Sequence, residues 1–302
     1  MEIKTPYVFI ILINYNNEKL TKECLNSLKE ITYQRYEIIV VDNSSNEHSI
    51  NYLAEAAPDA IILESKINLG FTGGNNLGIK AAYDRGADYV VLLNNDTTVE
   101  PDFLEPLLKS FEDEKVGLST GLIMYEDDKT KVWYGGGKIN LMRGSGIMYG
   151  RGKEISSVDL TSRSIKFASG CLLCISRVII DEVGMLNEDF FAYQEDTDYC
   201  LRVVQSGYKI IFEPNSKIYH TVNATVKNIN FPDLYYQFRN RLYLIKLHAP
   251  VLIKQIGYSY IMATMILKII YWTATGKPHF IRMALQAVRD FLQQKMGRIE
   301  AL

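Results

Sequence analysis

The sequence is poor in cysteine and proline, carries little net charge and has no long uncharged apolar run. Four cysteines in 302 residues (Cys24, Cys171, Cys174 and Cys200) are too few for a disulfide framework, and a chain of this length can bury a large core without one. Eight prolines exclude a collagenous chain, and a formal net charge of -2 disfavours a uniformly basic nucleic-acid-binding protein. We therefore expect a folded protein of a reducing compartment that does not bind nucleic acid.

Two local patterns agree with this expectation. The N-terminus has neither a basic segment nor a small-residue cleavage site, and Tyr7 to Ile13 has only the length of a strand, so we expect a cytoplasmic start. Cys171 and Cys174 have CxxC spacing, but they lie in the apolar run Phe167 to Ile175 without a second CxxC. This indicates a buried strand rather than a zinc or redox site.

The small net charge hides an uneven distribution. Residues 234–302 contain ten Lys and Arg but two Asp and Glu, which leaves 23 basic and 33 acidic residues in positions 1–233. The excess of basic residues after position 233 therefore suggests that this region has a separate role from the acidic remainder of the chain.

The first 112 residues alternate between short β-branched runs and segments with helical spacing. The runs are Tyr7 to Ile13, Glu37 to Val41, Ala60 to Leu63 and Tyr89 to Leu93. This alternation predicts βαβ units and a mostly parallel sheet. Asn17 is placed to cap the first helix, and Pro101 suits the first turn of a helix through Phe111.

Polar clusters follow all four predicted strands. They are Asn14 to Asn17, Asp42 to Ser45, Asn68 to Asn76, and Asn94 to Thr97. The carboxyl ends of the strands of an open α/β sheet line its ligand crevice, so these clusters should converge. Tyr, Asp, Asn and Gly together suggest a nucleotide-containing ligand.

The third cluster contains the glycine-rich stretch Gly70 to Gly78. Glycine lets backbone approach phosphate or ribose closely, but the stretch matches neither the dinucleotide-binding nor the P-loop pattern. The alternative is a turn leading into a helix over Leu77 to Arg85.

The fourth cluster offers a metal ligand. Asp96, just beyond a buried strand, can hold a hard divalent cation that also coordinates a diphosphate, although an Asx turn before Pro101 is the simpler alternative.

A second acidic segment lies between Asp189 and Arg202. A helix starting near Glu195 would pair Asp198 with Arg202, and acids in its first turn would also favour the helix dipole. Aromatic neighbours indicate desolvation, which raises a carboxyl pKa toward that of a general base. His220 follows the strand-like run Lys209 to Glu213.

The sequence at this point resembles the inverting glycosyltransferases of family 2, especially their bacterial rhamnosyltransferase-like branch. The likeness runs from about Tyr7 to His220 and rests on five motifs in the family's order. They are Tyr15-Asn16, Val40 to Ser45, Asn68 to Asn75, Leu92 to Thr97, and Glu195 to Arg202. The resemblance implies the GT-A fold, a Rossmann-like mixed but mostly parallel sheet flanked by helices, here with a C-terminal helical extension.

The resemblance also implies roles for the donor site. Tyr15 would lie against the base of a nucleotide sugar, Asp42 would accept a hydrogen bond from the pyrimidine N3–H, and Asn68, Gly70 and Gly74 would border the nucleotide. The family branch suggests dTDP-rhamnose, with UDP-sugars as alternatives.

The reaction centre follows from the same resemblance. Asp96 matches the last acid of the family's DxD motif and His220 a metal-ligating His found in some members, which implies Mg²⁺ or Mn²⁺. Asn94 replaces the first acid of that motif and still permits a hydrogen bond to ribose. Asp196 matches the catalytic base, which would deprotonate an acceptor hydroxyl, with Glu195 as the rival base or an acceptor-binding residue.

Two other functions remain as alternatives. Sugar-nucleotide nucleotidyltransferases also use α/β sheets and Mg²⁺, but they normally place a basic glycine-rich loop after the first strand, where this chain has Asn14 to Asn17. A non-catalytic carbohydrate-binding or scaffold derivative is disfavoured because both Asp96 and Asp196 are present.

We expect a catalytic domain over 1–225 and a basic helical region over 226–302. The apolar stretch Ile256 to Trp272 is short and contains Lys268, which favours surface or shallow membrane insertion over a crossing. A last helix with Ile281, Ala284 and Val288 on one face would lie on an anionic membrane, and the alternative is a dimer interface or a cap on the catalytic domain. A peripheral position at the cytoplasmic face would serve a glycan or lipid-linked acceptor of cell-surface polysaccharide synthesis.

Overall fold

The computed structural model describes residues 5–44, 47–222 and 231–299. The strands are β1 (Val8–Asn14), β2 (Tyr36–Asp42), β3 (Ile61–Glu64), β4 (Tyr89–Leu93), β5 (Thr97–Val99), β6 (Val116–Tyr125), β7 (Val132–Tyr134), β8 (Gly137–Asn140), β9 (Ser145–Met148), β10 (Arg163–Ile165), β11 (Leu172–Ser176) and β12 (Lys209–His220). The helices are α1 (Glu18–Leu28), α2 (Glu47–Ala56), α3 (Gly70–Asp84), α4 (Leu104–Lys109), α5 (Arg177–Glu182), α6 (Glu195–Gln205), α7 (Phe231–His248), α8 (Val251–Ala274) and α9 (Pro278–Leu292).

One twisted sheet forms the centre of the fold, in the order β10-β12-β6-β11-β4-β1-β2-β3, with β5 on β12 and β7 on β6. The strands β4, β1, β2 and β3 are mutually parallel, as alternation of strands and helices predicted. The strand β11 runs antiparallel to both β4 and β6, so the sheet is mixed. The predicted mixed, mostly parallel sheet with flanking helices is confirmed.

The chain enters β11 through the CxxC segment, and the buried-strand interpretation is confirmed. Cys174 lies within β11 and Cys171 just before it, and both side chains are buried and free. Burial raises the pKa of the Cys171 thiol well above its usual value.

Two helix starts differ from prediction. The helix α3 begins at Gly70 rather than near Leu77, because its glycines let it pack closely: a Cβ at Gly78 would stand 2.5 Å from Ile11. The helix α4 begins at Leu104, so Pro101 lies before it. Val99 still pairs with Ile218 of β12, which keeps the chain extended and delays the helix.

The C-terminal helices form a second apolar cluster that packs on the segment before α6. Its buried members include Tyr235, Phe238 and Met265, and Phe191 and Tyr193 pack against it. The predicted boundary between 225 and 226 falls outside the described residues. Tyr235 Oη donates to Asp290 Oδ2 inside this cluster at 2.8 Å, which ties α7 to α9.

The last helix differs from the membrane-facing prediction. Ala284 is buried in the second cluster, and Ile281, Val288 and Phe291 pack against it. Other helices therefore occupy the face that was expected to contact lipid, which is the arrangement of a cap on the catalytic domain. Within the described ranges, no helix is long and apolar enough to cross a membrane.

Candidate active site

The ends of β1, β2 and β4 open into a cleft of about 980 Å³. Eight of the ten predicted site residues line it, and they come from segments up to 205 positions apart. These residues are Tyr15, Asn68, Gly70, Asn94, Asp96, Glu195, Asp196 and His220. The structure therefore brings the polar clusters together, as the sheet topology predicted.

Asp42 lies behind the cleft wall, at the buried end of β2. Its Oδ1 accepts hydrogen bonds from Asn14 Nδ2 at 3.0 Å and from Ser44 Oγ at 2.7 Å, whereas its buried Oδ2 has no hydrogen-bond partner among the described residues. A buried acceptor without a partner is costly, so this oxygen is suited to receive a donor from a ligand. Tyr15, with 52% of its surface exposed, stands at the same edge.

Gly70 and Gly74 bring the start of α3 against its neighbours. Gly70 has φ +72°, and a Cβ there would stand 2.4 Å from the carbonyl oxygen of Phe191. A Cβ at Gly74 would stand 2.9 Å from Asn43 Nδ2, so this glycine serves helix packing and does not line the cleft. Asn68 Oδ1 accepts from the Gly70 N–H at 2.8 Å. A donor-binding role for these residues stays a prediction.

Asp96 and His220 meet at the inner end of the cleft because β5 pairs with β12. His220 Nε2 lies 3.1 Å from Asp96 Oδ1, both residues are over 90% buried, and the ring of Trp133 packs edge-on against the imidazole. Asp96 Oδ1 and His220 Nδ1 have no hydrogen-bond partner among the described residues. Two closely spaced donors with open lone pairs fit a divalent cation whose other ligands come from a substrate.

The described residues contain no group of three or more His, Cys, Asp or Glu side chains that could hold a metal. A cation at Asp96 and His220 therefore stays a prediction.

Glu195 and Asp196 stand at the first turn of α6, and the helix begins where predicted. Asp196 Oδ2 accepts from the Gly170 N–H at 3.2 Å, and Oδ1 accepts from the Thr197 N–H at 2.7 Å. Burial raises the pKa of the Asp196 carboxyl, while these N–H donors oppose the rise. Asp196 is therefore a fixed carboxylate with increased proton affinity, as a general base requires.

Glu195 is more deeply buried than its neighbour, and its Oε2 has no hydrogen-bond partner among the described residues. Burial, followed by the nearby charge of Asp196, raises the pKa of Glu195 well above its usual value. Its protonated form can donate a hydrogen bond, which suits a residue that holds a substrate hydroxyl.

The sequence motifs do not account for the part of the cleft that comes from outside them. Arg143 precedes β9, Gln237 and Arg241 lie on α7, and Tyr260 lies on α8, yet all four line the same cleft as Asp196. A signal was present, because Tyr235 to Arg241 interleaves aromatic and basic residues, a composition typical of a helix that buries polar contacts.

Comparison with known proteins gives consistent results. The model of the family described as glycosyl transferase family 2 matches residues 9–184. The dTDP-rhamnosyl transferase RfbF of Shigella flexneri is 24% identical over 301 residues, which is 96% of this chain and 97% of that protein. The N-acetylglucosaminyl-diphospho-decaprenol L-rhamnosyltransferase of Mycobacterium tuberculosis is 21% identical, over 72% of this chain and 76% of that protein.

A solved structure shows the same fold. The mannosyltransferase PcManGT of Pyrobaculum calidifontis, in complex with GDP-Man and Mn²⁺, superposes with a TM-score of 0.58 and 17% identity, over 97% of this chain and 89% of that protein. The likeness includes the C-terminal helices, because nearly the whole chain is covered.

Proposed function

The chain belongs to glycosyltransferase family 2 and has the GT-A fold, and on that basis we propose that it transfers rhamnose from dTDP-rhamnose to a hydroxyl of a lipid-linked glycan, inverting the anomeric carbon. The observation that carries the proposal is the placement of Asp196, a half-buried carboxylate with a raised pKa, in the same cleft as the Asp96–His220 pair.

The donor site is proposed for the ends of β1 and β2. Asp42 Oδ2 is a buried acceptor that a pyrimidine N3–H would satisfy, and Tyr15 offers an exposed ring beside it. The relative named for dTDP-rhamnose, which this chain matches over nearly its full length, supports that donor.

Asp96 and His220 would hold Mg²⁺ or Mn²⁺. Such a cation, when bound, neutralises negative charge that builds on a leaving diphosphate. The 3.1 Å spacing of Asp96 Oδ1 and His220 Nε2, which both face the same point, supports this assignment. The Mn²⁺ named with the mannosyltransferase supports the same class of ion.

The chain's own contribution to the chemistry is proton removal. Asp196 takes the proton of the acceptor hydroxyl as that oxygen attacks the anomeric carbon from the face opposite the diphosphate. The Gly170 and Thr197 N–H groups hold the carboxylate in place during this transfer. Glu195, in its protonated form, would hold a hydroxyl of the acceptor.

Two arginines support an acceptor that bears phosphate. Arg143 and Arg241 line the cleft, and neither pairs with a carboxylate among the described residues. Arg241 Nε donates to the carbonyl of Arg143 at 2.6 Å, and burial, then the nearby Arg143, lowers the pKa of Arg241. A phosphate would offset the charge of this pair. The relative named for a diphospho-decaprenol acceptor supports the same class.

A lipid-linked acceptor requires contact with a membrane surface, and α8 offers one. Its exposed apolar residues include Val251 (79%), Leu252 (72%) and Leu267 (67%), and the exposed Lys277 and Arg282 follow it. Apolar side chains flanked by cations suit the cytoplasmic leaflet of an anionic bilayer. A homodimer that covers this face is the alternative.

The test is to incubate the protein with dTDP-rhamnose and UDP-sugars, Mg²⁺ or Mn²⁺, and N-acetylglucosaminyl-diphospho-polyprenol. We expect release of free dTDP and formation of a product in which NMR shows the anomeric configuration opposite to that of the donor. Pyrophosphate release would identify a nucleotidyltransferase instead, and sugar binding without product would identify a carbohydrate-binding protein.

A further inference from the structure

The loop that leads into the catalytic helix has an unfavourable backbone conformation. Phe191, Tyr193 and Gln194 have φ values of 61°, 69° and 74°, in the left-handed region that non-glycine residues seldom adopt. Such residues persist only where the surrounding structure enforces them. Because Glu195 and Asp196 follow directly, whatever enforces this loop also places the base.

Asn240 of α7 is the main partner of this loop. Its Nδ2 lies 2.7 Å from the Phe190 carbonyl oxygen, 2.7 Å from that of Ala192 and 2.9 Å from that of Tyr193. The Asn240 amide has two N–H protons for three carbonyl oxygens, so at least one proton is shared between two of these acceptors. The side chain is fully buried, and among the described side chains of α7 it makes the most hydrogen bonds to the loop.

Arg239 holds the preceding residues of the loop. Its NH2 lies 3.1 Å from the Asp189 carbonyl oxygen and 3.4 Å from that of Phe190, and its NH1 donates to the Gly297 carbonyl at 2.7 Å. The guanidinium is 1% exposed and has no carboxylate partner among the described residues. A buried charge satisfied by backbone carbonyls fixes the course of that backbone.

The opposite side of the loop contacts the proposed donor site. The Thr72 N–H of α3 donates to the Phe191 carbonyl at 3.1 Å, and Gly70 leaves room for that carbonyl. Phe191 also stacks on Tyr236 of α7. The loop therefore lies between the helix that borders the cleft and the helix that supplies Asn240.

We propose that Asn240 and Arg239 are positioning residues, which set the place of Asp196 in the cleft by holding the carbonyls of residues 189–193. This inference rests on the proposed function, because it assigns Asp196 as the base. It gives the C-terminal region a part in the chemistry in addition to any contact with a membrane.

The first test compares Asn240→Ser with a matched control. Serine keeps one donor but cannot reach three carbonyls. Met283→Ala removes buried apolar volume from α9 in the same cluster, and no described hydrogen bond or ring contact joins Met283 to Arg239, Asn240 or the loop. With dTDP release as the assay, we expect Asn240→Ser to lower kcat about 10- to 100-fold and to leave KM for dTDP-rhamnose within about twofold, because a misplaced base slows chemistry without weakening donor binding. Met283→Ala should keep kcat while lowering Tm.

The second test asks whether Asn240 acts through Asp196. In an Asp196→Asn background, adding Asn240→Ser should leave the residual rate unchanged, since there is no base left to misplace. A further 10-fold loss in the double variant, or an equal loss of kcat in Met283→Ala, would overturn the inference. So would full kcat in Asn240→Ser.

The outcomes separate this inference from the function it rests on. Failure of the wild type to release dTDP would refute the proposed function, and Asp196→Asn at the wild-type rate would refute the assignment of Asp196 as the base. An inactive Asp196→Asn beside a fully active Asn240→Ser would refute the positioning role alone. Should Asn240→Ser fail to fold by circular dichroism, Arg239→Lys takes its place, with the same expected loss of kcat and the same outcomes against it.

Discussion

His248 Nε2 lies 2.7 Å from Asp198 Oδ1, so the last turn of α7 is bonded to the first turn of the helix that carries Asp196. Asp198 is 1% exposed and also accepts from Arg202 Nε at 2.9 Å. His248 and Asp198 are 50 residues apart in sequence. Their contact joins α7 to α6 itself, in addition to the hydrogen bonds that Asn240 makes to the loop before α6.

His248→Ala should lower the free energy of unfolding by about 1–3 kcal/mol, because it leaves a buried carboxylate oxygen of Asp198 without that partner. Urea unfolding followed by circular dichroism measures the loss. Lys246→Ala, in the same helical turn but with a long contact to Gln294 at 3.4 Å, is the control and should change stability by under about 0.5 kcal/mol. Equal stability of the two variants would refute the role of His248.

Asp196→Asn should reduce transfer at least about 10³-fold while dTDP still raises Tm as in wild type, because the amide cannot accept the hydroxyl proton. Asp181→Asn, a surface carboxylate change on α5, is the matched control and should keep full activity. Unimpaired transfer by Asp196→Asn would remove it as the base and leave Glu195 as the rival.

The pH dependence of kcat should show an acid limb above the ordinary Asp range. Burial raises the pKa of Asp196, and only its ionised form accepts a proton, so activity should fall as pH drops through that raised pKa. Initial rates across pH 4–9 would test this. A limb at or below the usual Asp pKa would contradict the expected desolvation.

Glu195 should make the folded state less stable as pH rises. Its folded-state pKa is raised by burial and by Asp196, so the stability it contributes is fully present below its unfolded pKa and is lost as pH rises through the folded pKa. Glu195→Gln should remove this dependence. Its Tm should exceed that of wild type by about 2 °C or more at pH 8, with a smaller difference at pH 4. A constant Tm difference across that range would contradict the shift.

Asp96→Asn and His220→Gln should each abolish the extra rise in Tm that Mn²⁺ gives in the presence of dTDP, and each should lower kcat/KM about 10²-fold, because Asp96 Oδ1 and His220 Nε2 are the proposed ligands. Thermal denaturation with and without chelator gives a readout apart from activity. Full turnover in excess chelator would dismiss the metal assignment.

Leu267→Glu should weaken sedimentation with anionic phosphatidylglycerol vesicles, since it places a charge in the exposed apolar face of α8. Val178→Glu replaces a similarly exposed apolar residue on α5 and should have no effect. If wild type does not sediment at low salt but elutes as a dimer, the face is an interface between copies.

Much of the sheet and the start of α6 were predictable, because β-branched runs and acids in a first helical turn are local signals. The strand β4 and the helix start at Glu195 were located without error. The early start of α3 was missed because several glycines close together are typical of a loop. The need for Gly73, Gly74 and Gly78 in a helix becomes clear only from its close packing, as at Gly78 against Ile11.

The hydrogen bonds from Asn240 of α7 to the loop before α6 could not be predicted, for a different reason. The acceptors of Asn240 are backbone carbonyls, which carry no residue-type signature, and they lie about 50 positions away in sequence. Likewise, Ala284 is buried because α9 packs against the other C-terminal helices. The apolar face of α9 does not by itself distinguish contact with those helices from contact with lipid.

The bonds from Asn240 bear on how this chain can be divided. A chimera that replaces everything after 225 with a foreign anchor would retain the sheet but leave the Phe190, Ala192 and Tyr193 carbonyls without their amide. A cut at Ala249–Pro250, between α7 and α8, keeps α7 and its hydrogen bonds with the catalytic body. That cut would still remove Asp290 and Gly297, which accept hydrogen bonds from Tyr235 and Arg239 of α7. The three C-terminal helices therefore have to be kept together with the catalytic body.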